Sequence, residues 1–323
     1  MSYNEFKLRM RDGKELNIHK WTIDDEIKPR GVIQIIHGMA EHGKRYDRFA
    51  RELLKEGYVV YADDHRGHGK SADSIKDLGY ICDEDGFHTM VHDENEINQF
   101  IKKENPGLKV YVFGHSMGSF LSQRYMEIYG DTIDGVILSG TNGKPSVTMK
   151  SGIILSWILM MFTGRKGSGK IMDKAGFGNY NDKYEKVRTQ YDWLSRDEAE
   201  VDKYIDDPFC GGIFPVSFFY DFLRGLSSIH KKKNLSGINL KVPVQIISGD
   251  MDPVGFYGEG VKALYRELQQ LGVENVNCRL YEGARHEILN EINRDEVTGD
   301  IIKCLNIWTG SKPLESEKTA ILV

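Results

Sequence analysis

Short apolar segments recur along the chain, and amphipathic stretches separate them. Segments of a few residues that are apolar throughout, or that alternate apolar with polar positions, predict β-strands. We predict strands at Glu5–Met10, Glu15–Trp21, Gly31–His37, Gly57–Ala62, Lys109–Phe113, Gly135–Leu138, Val242–Ser248 and Asn275–Tyr281. Helical spacing of the apolar positions predicts helices at Tyr46–Glu56, His88–Lys103, Met117–Tyr129, Gly255–Leu271 and Glu287–Trp308.

The order of these elements predicts an α/β fold. After an opening β-hairpin around Asp12-Gly13, strands alternate with helices, which implies a mostly parallel sheet with helices on both faces. Between the sixth strand and Val242 the sequence is helical and irregular, without a clear strand. We therefore predict a core from residues 1–140 and 239–310, and a helical cap or lid from residues 141–238. Residues 311–323 are expected to form a flexible tail.

Composition excludes several classes of function. Lys and Arg number 43 against 48 Asp and Glu, a net charge of −5, which argues against nucleic-acid binding. The four cysteines lie far apart without a CxxC pair, so we expect no disulfides, no structural zinc and a reducing, cytoplasmic compartment. The first twenty residues are charged throughout, unlike a secretory signal. We expect no cofactor.

One short motif could carry a nucleophile. Gly114-His-Ser-Met-Gly118 fits the pattern GxSxG, follows an apolar strand and opens a predicted helix. A sharp strand-to-helix turn needs small flanking residues, and it pushes the serine hydroxyl out at the edge of the sheet. Ser116 is therefore the predicted nucleophile. The alternative is an ordinary glycine-rich turn in which the serine caps the helix.

An activated serine needs a histidine base, and the base needs a carboxylate that orients it. Only His230 and His286 follow Ser116 in the sequence, and His286 lies in the loop after the last strand. His230 precedes three lysines and is predicted to be a solvated helix end. Asp250 and Asp252 both follow the preceding strand. We favour Asp252, because it lies further along the loop, whereas Asp250 could simply cap the turn.

Acyl transfer also needs two backbone donors for the oxyanion. One is the N–H of Met117, directly after the serine, and the other is predicted to be the N–H of Met39, next to Gly38. Nearby histidines raise metal binding as an alternative. Their spacing lacks the common zinc motifs, so no metal is expected; they are His37, His42, His65 and His68.

The motifs in combination resemble those of the monoacylglycerol lipase and lysophospholipase group of α/β-hydrolases. The segments that carry the resemblance are His37–His42 with Arg45-Tyr46, Asp64–Ser71, Gly114–Gly118 and Tyr281–His286. The resemblance extends over roughly residues 5–308 and is weakest in the cap. It implies an eight-stranded sheet, a helical cap and a serine-hydrolase triad with Asp252 as its acid.

The same resemblance implies roles for three more residues. Glu41, Arg45 and His115 would line the polar end of the substrate pocket and hold the loop that carries Met39. Bacterial members of the group are the more similar ones, in Trp193–Asp197 and in Asp252–Gly255. The cap sequence departs from that of the mammalian enzymes, so the resemblance does not indicate an acyl-chain length.

The cap contains an apolar run that could contact lipid. Gly152–Phe162 is apolar on nearly all faces but too short to span a bilayer, and basic residues follow it. Those residues are Arg165, Lys166, Lys170 and Lys174. A helix that docks on a membrane surface, a helix packed on the core and a dimer contact all remain open. Five aromatic residues could line an acyl tunnel or belong to the core, namely Phe209, Phe214, Phe218, Phe219 and Phe222.

Three functions therefore compete. The first is a serine esterase that cleaves monoacylglycerols or lysophospholipids to a free fatty acid, or a short-chain carboxylesterase. The second is a proline aminopeptidase-like peptidase or amidase, for which the cap offers the acids Glu198, Glu200, Asp202, Asp206 and Asp207. The third is a protein of this fold without activity, against which the set of Ser116, Asp252 and His286 argues. The oligomeric state is left open.

Overall fold

The computed structural model describes residues 1–24, 26–143 and 149–310. The predicted tail at 311–323 lies outside the described residues. The sheet consists of β1 (Ser2–Arg9), β2 (Glu15–Thr22), β3 (Gly31–Ile36), β4 (Tyr58–Asp64), β5 (Val110–His115), β6 (Gly135–Ser139), β7 (Val244–Gly249) and β8 (Val276–Tyr281). The helices are α1 (Asp47–Lys55), α2 (Gly86–Glu104), α3 (Met117–Tyr129), α4 (Met149–Thr163), α5 (Lys170–Phe177), α6 (Glu198–Asp206), α7 (Val216–Leu226), α8 (Lys232–Leu235), α9 (Glu259–Leu271) and α10 (Arg294–Thr309).

All eight strands belong to one sheet in the order β1-β2-β4-β3-β5-β6-β7-β8. The pairs β1/β2 and β2/β4 are antiparallel, and every other pair of neighbours is parallel. The prediction of an eight-stranded, mostly parallel sheet is thus confirmed. Because β3, β5, β6, β7 and β8 are parallel, the loops that follow them meet at one edge of the sheet.

Two of the predicted helices begin later than the sequence indicated. Helix α9 was predicted from Gly255 and begins at Glu259, because Phe256, Tyr257 and Gly258 have positive φ angles that end any helical path before them. Helix α10 was predicted from Glu287 and begins at Arg294. A short 3-10 turn at Ile288–Asn290 occupies the first part of that segment.

The inserted segment between β6 and β7, described over residues 149–238 and called the cap segment below, is attached to the core by buried aromatics. Phe214, Phe218 and Phe219 are buried within one of the two hydrophobic clusters of the described residues, which also contains side chains of α3 and α9. Their rings contact one another edge to face. For these three phenylalanines the structure favours the core interpretation over the lining of a tunnel.

Candidate active site

Ser116 lies in a strained turn between β5 and α3. Its backbone has φ 52° and ψ −119°, a region that residues other than glycine rarely occupy. The Ser116 N–H donates to the Ser139 carbonyl of neighbouring β6 at 2.9 Å, which ties the turn to the sheet. A Cβ atom at Gly118 would lie only 2.0 Å from the Ile36 carbonyl oxygen, so the motif requires glycine there.

His286 and Asp252 are in direct contact. His286 Nδ1 lies 2.9 Å from Asp252 Oδ2, and both side chains are buried in the loops that follow β8 and β7. The Asp252 carboxylate also accepts hydrogen bonds from the Val254 N–H at 2.8 Å and the Ser248 hydroxyl at 3.2 Å. Because a carboxylate only accepts, His286 carries its proton on Nδ1 and presents the lone pair of Nε2.

The competing residues have other partners. The Asp250 carboxylate accepts the Gly283 N–H at 2.7 Å and thereby connects the loops after β7 and β8. His230 pairs with Glu267 of α9. Of the two aspartates and two histidines considered, the structure brings only Asp252 and His286 together.

The loops that carry Ser116 and His286 are adjacent. The ring of His115, directly before the serine, lies 4.8 Å from the ring of His286, centroid to centroid. Burial, and then the nearby His286, lowers the pKa of His115 to about 4, so this ring is neutral. Burial alone would lower the pKa of His286, but the charge of Asp252 and its hydrogen bond raise it above the ordinary value.

The loop after β3 approaches Ser116 closely. A Cβ atom at Gly38 would lie 3.2 Å from Ser116 Cβ. The Gly38 N–H already donates to Glu41 Oε1 at 2.5 Å. Within the described part of the chain, the N–H groups of Met39 and Met117 have no hydrogen-bond acceptor. Both groups are therefore unpaired donors in the two loops beside Ser116.

Three charged side chains connect this loop with the loop of His286. Arg45 donates to Glu41 at 2.6 Å and forms two hydrogen bonds of 2.7 Å to Glu287. Burial would raise the pKa of Glu287, but Arg45 outweighs it and lowers the pKa to about 2. Sequence reasoning missed Glu287, although its position directly after His286 was a signal. His115, Glu41 and Arg45 thus lie together beside the two loops.

The cap segment contacts His286 directly. The Trp193 ring lies 5.0 Å from the His286 ring, and the Trp193 carbonyl accepts the His286 N–H at 3.3 Å. The next carbonyl, of Leu194, accepts the Glu287 N–H at 2.7 Å. Arg285 donates to the Ser195 carbonyl at 3.1 Å. A short stretch of the cap segment therefore holds the loop in which His286 lies, a contact that the sequence did not predict.

Comparisons with known proteins agree with this architecture. A model of the Hydrolase_4 family, described as serine aminopeptidase S33, matches residues 27–293. The monoacylglycerol lipase of Mycolicibacterium smegmatis is 29% identical over 87% of this chain and 89% of its own length. The human monoglyceride lipase is 26% identical over 88% of this chain and 84% of its own length.

A solved structure is similar over nearly the whole chain. It is a highly thermostable carboxyl esterase from Bacillus coagulans in complex with glycerol, with a TM-score of 0.87 and 32% identity. The alignment covers 96% of this chain and 99% of the esterase. Since the family model matches most of the sequence and the fold agrees, this chain belongs to the Hydrolase_4 family of the α/β-hydrolase superfamily.

Proposed function

We propose that this protein is a serine hydrolase that cleaves the ester bond of monoacylglycerols or lysophospholipids and releases a free fatty acid. The observation that carries the proposal is the buried pair of His286 and Asp252, 2.9 Å apart, on loops adjacent to the strained turn of Ser116. Relatives named as lipases for monoglycerides and a relative named as a probable lysophospholipase indicate the class of substrate.

In the first half of the reaction, Ser116 Oγ attacks the ester carbonyl and gives its proton to His286 Nε2. The carbonyl oxygen becomes an oxyanion, which the N–H groups of Met39 and Met117 stabilise. His286 then returns the proton to the departing alcohol oxygen as the ester bond breaks. The acyl group remains bound to Ser116, and the glycerol or glycerophospho alcohol leaves.

In the second half, water takes the place of the alcohol. His286 accepts a proton from water as the water oxygen attacks the acyl carbon, and the same two N–H groups hold the second oxyanion. The proton then moves to Ser116 Oγ as the bond to the acyl group breaks, which frees the fatty acid. Asp252 remains ionised throughout and stabilises the imidazolium form of His286.

A small cavity beside the histidines suits the alcohol part of the substrate. Its lining includes polar side chains from both connected loops, namely Glu41, Arg45, Tyr46, Arg48, Phe49, His115, Glu287, Leu289 and Asn290. Hydroxyl groups of a glycerol moiety can form hydrogen bonds with such polar groups, whereas an acyl chain cannot. We therefore assign Glu41, Arg45 and His115 to the polar end of the pocket.

The family description also raises a peptidase, which would need a carboxylate for the amino terminus of its substrate. Four of the five acids proposed for that role form ion pairs, and no ion pair of Asp206 occurs within the described residues. Glu200 lies 3.1 Å from Arg48, Asp202 lies 2.6 Å from Arg188, and Asp207 lies 2.9 Å from His42. Engaged carboxylates are poorly placed to bind a free ammonium group, so the site favours esters.

Substrate profiling tests the proposed function. We expect the purified protein to hydrolyse a long-chain monoacylglycerol much faster than an aminoacyl anilide, and to be labelled by a fluorophosphonate probe. Initial rates on both substrates and the mass of the labelled peptide provide the measurements. Faster cleavage of the anilide would favour the peptidase, and a lack of both labelling and turnover would overturn the assignment as a serine hydrolase.

We further propose that helix α4 docks the protein on a lipid surface. Trp157, Met161 and Phe162 are 46%, 66% and 84% exposed, a large apolar surface on one helix. The described residues include no helix that combines the length and the apolar character needed to cross a bilayer. Exposed lysines at 150, 170 and 174 lie on or near this helix, and each could add about 1 kcal/mol of attraction to anionic lipid.

Replacing Trp157 and Phe162 together with serine tests the docking surface. We expect binding to anionic vesicles to weaken by about tenfold or more, because two exposed apolar side chains no longer enter the lipid. Activity on vesicle-borne monoacylglycerol should fall, whereas activity on a short soluble ester should persist. Leu159 is a less suitable target, since it packs against the buried cluster that contains Phe214, Phe218 and Phe219.

A matched control is the pair Ile292→Ser and Ile307→Ser, which removes exposed apolar side chains near and within α10. This pair should leave vesicle binding unchanged. If the variant at Trp157 and Phe162 bound vesicles as tightly as the unaltered protein, α4 would not be the docking surface.

A further inference from the structure

Three side chains with different metal-binding chemistry meet outside the groups assigned to catalysis. His42 Nε2 lies 2.9 Å from Asp207 Oδ2, and Cys210 Sγ lies within 4.8 Å of both atoms. His42 belongs to the loop after β3, the loop that also carries Met39. Asp207 and Cys210 come from the segment between α6 and α7. The cluster therefore bridges the core and the cap segment.

Backbone hydrogen bonds hold the three residues in place. Asp207 accepts the Phe209 N–H on Oδ1 at 2.9 Å and the Cys210 N–H on its carbonyl at 3.0 Å. The turn thus aims Oδ2 at His42 and folds Cys210 back towards it. The Gly211 N–H donates to the Ala40 carbonyl at 3.0 Å, which fixes the turn against the loop after β3.

The arrangement suits a tetrahedral Zn²⁺ ion. Bonds of about 2.0–2.3 Å place neighbouring ligand atoms about 3.3–3.8 Å apart. In the cluster, His42 Nε2 and Asp207 Oδ2 are 2.9 Å apart, and all three ligand atoms lie within 4.8 Å of one another. Small side-chain rotations would therefore complete a site with one nitrogen, one oxygen and one sulfur ligand. The side chains of His42 and Asp207 are 13% and 28% exposed, so an ion and a water ligand have access.

The local charge is compatible with a divalent cation. Arg45 is the nearby positive charge, but Glu41 and Glu287 both pair with it. Burial raises the pKa of the Cys210 thiol, so a bound ion would displace the thiol proton to solvent, and the thiolate together with Asp207 would neutralise the charge of the ion. His42 would supply the third ligand through a ring nitrogen.

A second cluster of possible metal ligands differs from the first in its burial. Asp63, His65 and Glu94 are also close enough together to hold an ion, but all three are fully buried. Burial alone would lower the pKa of His65, yet the charge of Asp63 and the hydrogen bond to it raise the pKa well above the ordinary value. His65 Nδ1 lies 2.8 Å from Asp63 and 3.1 Å from Glu94, and because all three side chains are buried, a water ligand has no access to them.

We propose that His42, Asp207 and Cys210 form a Zn²⁺ site that clamps the cap segment onto the loop of Met39 and thereby inhibits the enzyme. A bound ion would tie His42, three residues after Met39 in the same loop, to Asp207 of the cap segment, so that the loop and the cap segment could no longer move apart. The binding part of this proposal stands on the cluster alone. The inhibitory part rests on the proposed function, so the two parts have separate measurements.

Binding is measured on the full chain. EDTA first removes bound metals, and Zn²⁺ or Co²⁺ is then added after removal of the EDTA. We expect one Zn²⁺ per chain by elemental analysis, and with Co²⁺ a near-ultraviolet absorption band from the bond between thiolate and cobalt. Cys210→Ser should abolish the band, and Asp207→Asn should weaken Zn²⁺ binding by about tenfold or more. Cys304→Ser is the matched control, a half-buried cysteine on α10 that should leave the band and the affinity unchanged.

Inhibition is measured with the same proteins on a short soluble ester. Zn²⁺ should lower the rate of the unaltered protein, EDTA should restore it, and Asp207→Asn should be far less sensitive. The proposed site would be wrong if the cobalt band persisted in Cys210→Ser, or if the unaltered protein showed no such band. Equal inhibition of Asp207→Asn would overturn the clamp and indicate that Zn²⁺ acts at His286. Circular dichroism of each variant verifies that it is folded.

Discussion

Alanine in place of Ser116 is expected to lower kcat by about 10⁴-fold or more. The substitution removes the hydroxyl that would attack the ester, while the backbone hydrogen bond from residue 116 to the Ser139 carbonyl persists. His286→Ala should have an effect of similar size, because it removes the side chain that would accept the proton. Steady-state rates on a monoacylglycerol, with melting temperatures to verify folding, provide the measurement.

Ser122→Ala is the matched control for the nucleophile. Ser122 lies on α3, the helix that follows Ser116, and its hydroxyl donates to the Gly118 carbonyl at 2.7 Å. This variant should keep most of the activity. If Ser116→Ala retained the activity of the unaltered protein, the nucleophile would have to be sought elsewhere.

The second large effect is expected from Asp252→Asn, which should lower kcat by about 10⁴-fold. An amide lacks the charge that stabilises the imidazolium, and it can donate to Nδ1, which would favour the wrong tautomer of His286. Asp250→Asn should be much milder, because an amide oxygen can still accept the Gly283 N–H. The ratio of kcat between the two variants is the measurement, and a more damaging Asp250→Asn would contradict the choice of acid.

The pH profile gives an independent readout of the same pair. The base must be neutral to accept a proton, so activity should decline as the pH falls through the raised pKa of His286. In Asp252→Asn the stabilising charge is lost, and the acid limb of the residual activity should shift to lower pH. An unshifted acid limb would indicate that another group titrates.

The sheet could be predicted from the sequence because the signal for each strand is local. Each strand is a short apolar run, and the alternation with helices restricts the order in which parallel strands can pair. The predicted starts of α9 and α10 were wrong, and for α9 the reason lies in the backbone conformation. Positive φ angles at Phe256 and Tyr257 leave no periodic signal, since neither residue type favours that conformation.

Contacts between distant parts of the chain were the harder part of the site. The pairing of Asp252 with His286 could be predicted, because both follow neighbouring strands and a base needs an acid. The bond from Arg45 to Glu287 spans 242 positions, and no spacing or motif connects the two residues. The contact of Trp193 with His286 was equally hidden, because it depends on how the cap segment folds back.

Helix α4 illustrates another limit of sequence patterns. The helix is apolar on nearly every face, so no amphipathic stripe distinguishes the side that packs from the side that faces outward. The structure places Leu159 against the core cluster and leaves Phe162 exposed. Only a residue-by-residue view of burial could separate the two.

The bonds between the cap segment and the loop of His286 restrict how such enzymes can be re-engineered. The carbonyls of Trp193, Leu194 and Ser195 accept hydrogen bonds from residues 285–287, so a piece of the cap segment belongs to the catalytic frame. A chimera that carries the cap segment of another enzyme would have to retain this stretch, because the loop of His286 would otherwise lose these hydrogen bonds. Such a chimera could exchange α4 and α5 while residues 191–196 stay native.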